Sequence, residues 1–106
     1  MKVSCLTSIW EILIPSHFND GSEVNLDHHN KWDEWVLDIA NGLTVLKPAK
    51  GRWIDLGGKR YTEPMIPVRI ACTEDEIIRV AKFTKDHYEQ IKVMFYRIAD
   101  KVYIYP

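Results

Sequence analysis

Residues 43–72 read LTVLKPAKGRWIDLGGKRYTEPMIPVRIAC, and this stretch decides the fold. Two runs rich in β-branched, aliphatic and aromatic residues flank Gly57-Gly58. A glycine pair readily adopts the positive φ values of two-residue hairpin turns, which match the twist of the flanking strands. The stretch therefore predicts a long β-hairpin that turns at Gly57-Gly58.

A two-residue loop also fixes the predicted register of this hairpin. Leu56 would pair with Lys59 next to the turn. Further along, Arg52 would face Glu63 as an opposite-charge cross-strand pair, worth roughly 0.2–1 kcal/mol.

Two prolines limit how far this pairing extends. The register places Pro48 opposite Pro67 at a hydrogen-bonded site, although proline has no N–H to donate. We therefore expect a β-bulge or break near Lys50-Gly51, where glycine tolerates an irregular backbone. The tip, residues 52–63, would then project from the body of the domain.

The flanking segments complete an α+β pattern. Short polar capping residues, apolar stripes at helical spacing and runs of β-branched residues give the boundaries. Before the hairpin, the predicted elements are a strand over 3–14 and a helix from an Asn25 cap to about residue 40, ended by Asn41-Gly42. After the hairpin, a helix runs from a Thr73/Glu76 capping box to about residue 90. A strand over 93–96, a turn at 99–101 and a short closing strand over 102–105 follow.

This order predicts one ferredoxin-like βαββαβ domain over residues 1–106. Such a domain packs two helices on one face of an antiparallel sheet. The other sheet face stays open, and proteins with this pattern often cover it with a partner or a ligand.

Composition excludes several classes of function. The chain has 106 residues and a formal net charge of −1, which argues against a nucleic-acid binder. Its apolar runs are too short to cross a membrane. Glu11 interrupts the first apolar run, so we expect no secretion signal and a cytoplasmic location.

The charges are unevenly distributed along the chain. Residues 19–39 contain six acids and one base, whereas residues 47–69 contain six bases and two acids. An acidic first helix and a basic hairpin could face each other within one chain or between two chains. Alternatively, both are solvated surfaces, since surface ion pairs contribute little.

Metal and cofactor sites are not predicted. Cys5 and Cys72 are too far apart in sequence for a metal-ligand pair and are expected to be buried reduced thiols. His29 and Asp33 share a helix face, and His17 could be a third ligand, but a solvated helix start is the favoured interpretation.

Two sets of residues are candidates for function. His17 and Asp20, in the first loop, could act as an acid–base pair, with Asp20 fixing the tautomer of His17. An aromatic and basic hairpin tip is typical of a contact surface or an anion-binding surface. Its candidate ligand- or partner-binding residues are Arg52, Trp53, Arg60 and Tyr61.

A family resemblance supports the fold. Gly51, Trp53, Gly57-Gly58 and Glu63-Pro64, placed between a helix and a strand, resemble a motif of small uncharacterised bacterial proteins of ferredoxin-like fold. The pattern is also similar to dimeric α/β-barrel proteins, whose sheets pack face to face. Some of these dimeric α/β-barrel proteins are small cofactor-free oxygenases or isomerases, and many are binding proteins without catalytic activity.

We therefore predict an association module that forms a homodimer through the open sheet face or the hairpin, with a protein partner or a small anionic ligand as further options. The alternative is a small cofactor-free enzyme of dimeric-barrel type that acts on a small organic anion. There His17 and Asp20 would exchange protons, and Arg52 or Arg60 would anchor the substrate. A binding module is favoured over an enzyme, because no nucleophile motif surrounds His17.

Overall fold

The computed structural model describes residues 4–5, 7–40 and 42–105. The elements in this part of the chain are, in order, β1 (Ser4–Cys5), β2 (Ser8–Pro15), α1 (Leu26–Ala40), β3 (Thr44–Val45), β4 (Ala49–Ile54), β5 (Arg60–Cys72), α2 (Glu74–His87), β6 (Phe95–Ala99) and β7 (Tyr103–Ile104).

An antiparallel sheet forms the centre of the molecule. Its strands lie in the order β3-β5-β2-β6, and β4 pairs with the first half of β5. This arrangement confirms the predicted α+β, ferredoxin-like fold. The closing strand β7 does not join this sheet but pairs with β1 in a separate two-stranded ribbon. The single strand predicted over 3–14 is thus two strands, while residues 3 and 6 lie outside the described part.

The core fills the space between the sheet and the two helices. Each strand sends alternate side chains toward the helices, and each helix contributes an apolar stripe. Its most buried members are Trp10, Ile12 and Ile14 from β2; Val68, Ile70 and Cys72 from β5; Trp32 and Val36 from α1; and Ile77, Val80 and Tyr88 from α2 and its end.

Local side-chain signals set the helix boundaries. The Asn25 carboxamide accepts a hydrogen bond from the His28 N–H at 2.8 Å, and Thr73 and Glu76 form both bonds of a capping box, as predicted. Helix α2 ends at His87, earlier than the predicted residue 90. The reason is a Schellman-type end: Glu89 has a φ of 54°, and the Gln90 N–H donates to the Lys85 carbonyl at 2.9 Å.

The predicted hairpin register was wrong by one residue. The Asp55 N–H donates to the Lys59 carbonyl at 3.0 Å, so the loop between them has three residues rather than two. The Asp55 carboxylate holds this loop by accepting bonds from the Gly57 and Lys59 N–H groups. A turn bond from the Gly58 N–H to the Asp55 carbonyl follows, with Gly58 at a φ of 82°. The correct cross-strand pairs are Trp53 with Tyr61, Arg52 with Thr62 and Gly51 with Glu63.

The predicted break exists but lies elsewhere. Strand β3 pairs Thr44 with Arg69, whereas β4 pairs Ala49 with Met65, so the register changes between the two strands. The change falls around Pro48, where the chain has no N–H to donate, rather than at Lys50-Gly51.

Beyond this break the hairpin leaves the body of the domain. Residues 50–64, named here the hairpin arm, pair only within the β4–β5 hairpin, because β2 covers β5 only from Met65 onward. The molecule measures 52 × 31 × 24 Å, with a radius of gyration of 14.9 Å. A compact chain of this length would have about 13 Å, so the arm projects from the body.

No helix in the described ranges is both long and apolar enough to span a membrane.

Candidate functional site: the hairpin arm

A groove of about 330 Å³ runs along the hairpin arm and opens to solvent. The four residues predicted to bind a ligand or partner all line it. Trp53 remains 41 % exposed although it is a large aromatic side chain. The full lining is Arg52, Trp53, Ile54, Arg60, Tyr61 and Thr62.

Trp53 and Tyr61 form the aromatic part of this groove. They are direct cross-strand partners, and their rings lie 6.3 Å apart between centroids, nearly parallel at 24°. In the predicted register, Arg52 would face Glu63, and Trp53 would not face Tyr61. The observed register instead puts two aromatic rings on one face, where they can hold a flat ligand or an apolar partner.

Glycine at position 51 makes room for the Trp53 ring and the Met65 side chain. A Cβ atom there would lie 2.9 Å from Cζ3 of Trp53 and 2.2 Å from Cε of Met65. Trp53 therefore folds back over the backbone of Gly51, which explains the Gly-x-Trp spacing in the sequence.

The Asp55 carboxylate fixes the end of the arm. Besides its two backbone bonds, it accepts a bond from the Tyr61 hydroxyl at 3.1 Å. The backbone hydrogen bond from Lys59 is the main cause that lowers the pKa of Asp55, and the bond to Asp55 is the main cause that raises the pKa of Tyr61. Lys59 lies 5.1 Å from the Tyr61 ring centroid, so a cation covers the same ring. The turn therefore holds Tyr61 in place.

His17 and Asp20 are not brought together. His17 Nδ1 shares a 2.8 Å hydrogen bond with the Ser16 hydroxyl, while Asp20 accepts bonds from the backbone and side chain of Ser22. The Ser22 hydroxyl is the main cause that lowers the pKa of Asp20. Asp20 thus serves its own turn and does not orient the His17 ring.

Histidines join the start of α1 to the end of α2. The rings of His28 and His87 stack 3.7 Å apart, and each shares a hydrogen bond through Nε2 with the backbone carbonyl of the other, at 2.6 and 2.7 Å. Next to them, His29 Nδ1 bonds the Tyr88 hydroxyl at 2.7 Å. Burial lowers the pKa of His29 and of His87. This cluster stabilises the helix pair.

Within the described ranges, no three His, Cys, Asp or Glu side chains are grouped so that they could hold a metal ion. The Nδ1 atom of His29 already shares a hydrogen bond with the Tyr88 hydroxyl.

One polar cluster on the open sheet face was missed by the sequence reasoning. Glu11 is only 8 % exposed, and its carboxylate accepts bonds from Arg69 Nε at 3.1 Å and from the Tyr96 hydroxyl. The three residues lie directly opposite one another on β5, β2 and β6. The bond to Glu11 raises the pKa of Tyr96. The signal was available only as a charged residue that alternates with the core residues Trp10 and Ile12 on β2 and so lies on the sheet face away from the helices.

Comparison with known proteins gives the fold and no family. The sequence matches no protein-family model and no curated protein. Among solved structures, the chain is similar to a phage SAM lyase in complex with S-methyl-5'-thioadenosine, with a TM-score of 0.70, 12% identity, and coverage of 100% of this chain and 95% of that chain.

Two further similar structures are those of proteins named CutA and CutA1. The periplasmic divalent cation tolerance protein CutA from Archaeoglobus fulgidus aligns with a TM-score of 0.62 and 13% identity, over 87% of this chain and 81% of that one. CutA1 from Oryza sativa aligns with a TM-score of 0.61 and 11% identity, over 94% and 81%. At these identities the similarity establishes the ferredoxin-like fold alone.

Proposed function

We propose that the chain is a small binding module that self-associates through its hairpin arm. The observation that carries the proposal is the exposure of large apolar side chains on a segment that projects from the body. Trp53 is 41 % exposed, Ile54 is 61 % exposed, and Leu56 at the turn is fully exposed. Exposed large apolar side chains on a projecting element are typical of a protein-contact site.

The open sheet face is the second surface predicted for association. It carries the exposed Tyr96 and Ile98 of β6 beside the Glu11 cluster. Glu11 is already bonded by its own chain, so a partner that covers this face would not leave a buried charge unpaired. The homodimer, the bacterial source and the cytoplasmic location predicted from the sequence remain parts of this proposal.

Light scattering after size exclusion tests it. We expect the wild type to be a homo-oligomer and Trp53→Ala/Tyr61→Ala to be a folded monomer. Tyr105→Ala, which removes a more exposed aromatic ring away from the arm, is the matched control and should leave the mass unchanged. A monomeric wild type contradicts the proposal, as does an arm variant with the wild-type mass.

A second candidate function is that of a cofactor-free lyase acting on S-adenosylmethionine. It is favoured by the match to the phage SAM lyase, which extends over the whole of this chain and nearly all of that one. The groove also suits parts of such a substrate. A purine ring can stack on Trp53 and Tyr61, which share one face of the arm.

Chromatographic detection of S-methyl-5'-thioadenosine after incubation with S-adenosylmethionine tests this candidate. We expect release of the product by the wild type, at least tenfold slower release by Trp53→Ala, and an unchanged rate for Tyr105→Ala. An absence of product contradicts the lyase function and leaves the self-association proposal standing, because the two experiments measure different properties.

A further inference from the structure

Helix α1 presents an acidic outer surface that its own chain does not neutralise. Its single base, Lys31, pairs with Asp27 at 3.3 Å. Glu34 and Asp38, one turn apart on the exposed side, have no ion-pair partner among the described residues. Leu37 lies next to them and is 39 % exposed. The surface is therefore acidic with an apolar centre.

The hairpin arm has the opposite composition. It contains four exposed bases, Lys50, Arg52, Lys59 and Arg60, and its exposed Trp53 and Ile54 are apolar. None of the four bases forms an ion pair within the described ranges. The carboxylate of Asp55, one of the two acids of the arm, already accepts hydrogen bonds from backbone N–H groups of the turn. Side chains alternate between the two faces of a strand, so Ile54 shares a face with Arg52 and Arg60, and this face of the arm is basic with an apolar centre.

Within one chain these two surfaces do not meet. No hydrogen bond or ion pair in the described ranges joins the arm to α1, and β4 contacts essentially its hairpin partner β5. Their lengths agree, however. The arm strand over residues 60–64 extends roughly 17 Å, plus its turn, and the 15 residues of α1 extend about 22 Å.

We infer that the hairpin arm of one copy lies along the outer surface of α1 of a second copy. Arg52 and Arg60 then pair with Glu34 and Asp38, and Ile54, which lies on the same face of the hairpin as these two arginines, covers Leu37. The inference rests on the proposed self-association and names its contact surface. The two surfaces differ, so each copy both gives an arm and receives one. The assembly is then either a closed ring or a pair of copies that exchange arms.

Charge reversal on both surfaces tests this contact. We expect Arg52→Glu/Arg60→Glu and Glu34→Lys/Asp38→Lys each to weaken association at least tenfold in sedimentation equilibrium at low salt. An equimolar mixture of the two variants should recover association, because each reversed arm then meets a reversed helix. Lys82→Glu/Lys85→Glu, which reverses two exposed charges on α2, is the matched control and should associate like the wild type.

The outcomes separate this inference from the function on which it rests. A monomeric wild type overturns both. In a second outcome, Trp53→Ala/Tyr61→Ala dissociates the oligomer and Glu34→Lys/Asp38→Lys leaves it intact. That result overturns only the α1 contact. Dissociation by Ile98→Pro at the exposed edge of β6, with unchanged association of the Glu34→Lys/Asp38→Lys variant, overturns it as well, since the copies would then pair edge to edge.

Discussion

Thr84→Val is expected to destabilise the protein although valine has the shape of threonine. Trp32 and Thr84 are both fully buried between the helices. The indole N–H of Trp32 donates to the Thr84 hydroxyl at 2.9 Å, and that hydroxyl donates to the Val80 carbonyl at 2.6 Å. Valine removes the hydroxyl, so the indole N–H stays buried without an acceptor.

The magnitude follows from that unsatisfied donor. Leaving a buried polar group without its partner costs about 1–3 kcal/mol. With an unfolding slope of about 1–3 kcal/mol per molar urea, the midpoint of urea unfolding should fall by roughly 1 M. Thr62→Val, at an exposed position of β5, is the control and should stay within about 0.5 kcal/mol of the wild type.

A double-mutant cycle identifies the cause. A Trp32→Phe background has no indole N–H that could lose its acceptor. Thr84→Val should therefore lower the free energy of unfolding much less in that background than in the wild type. An equal loss of unfolding free energy in both backgrounds would refute the reasoning, because the cost would then come from packing rather than from the hydrogen bond.

Three further outcomes are expected. Burial lowers the pKa values of His29 and His87, so the folded state disfavours their protonation. The free energy of unfolding should therefore be at its full value above pH 6.5 and fall as the pH drops below 6.5. Urea titrations at a series of pH values measure this change. Burial raises the pKa of the Cys72 thiol to about 12. In a Cys5→Ser background, the native protein should therefore react with an aromatic disulfide reagent only after denaturant is added. Rapid reaction of the native protein would contradict this burial. Thr73→Ala, which removes the cap of α2, should lower the unfolding free energy by about 1 kcal/mol, and no change in the urea midpoint would count against the capping box.

Local signals were sufficient for the helix starts and the order of the elements. The Asn25 cap and the capping box at Thr73 involve residues three apart, so sequence spacing contains all the required information. The end of α2 was missed because the sequence has no glycine there to signal it: Glu89 adopts the left-handed conformation that glycine usually supplies.

Register and long-range pairs could not be obtained in the same way. The hairpin loop depends on one side chain, Asp55, whose preference for backbone N–H groups outweighs the two-glycine turn. The pairing of Glu11 with Arg69 joins residues 58 apart, and it depends on a strand pairing that only the folded sheet specifies. The groove residues were predicted as a set, but the alignment of Trp53 with Tyr61 required the correct register.

The break around Pro48 has a consequence for how such a protein can change over time. Side chains beyond it contribute almost nothing to the core, so replacements at the tip alter what the arm contacts at little cost in folding free energy. Residues can also be added or removed in cross-strand pairs without shifting the sheet behind the break. Contact specificity and fold stability can therefore diverge independently in this chain, because they belong to separate segments of one hairpin.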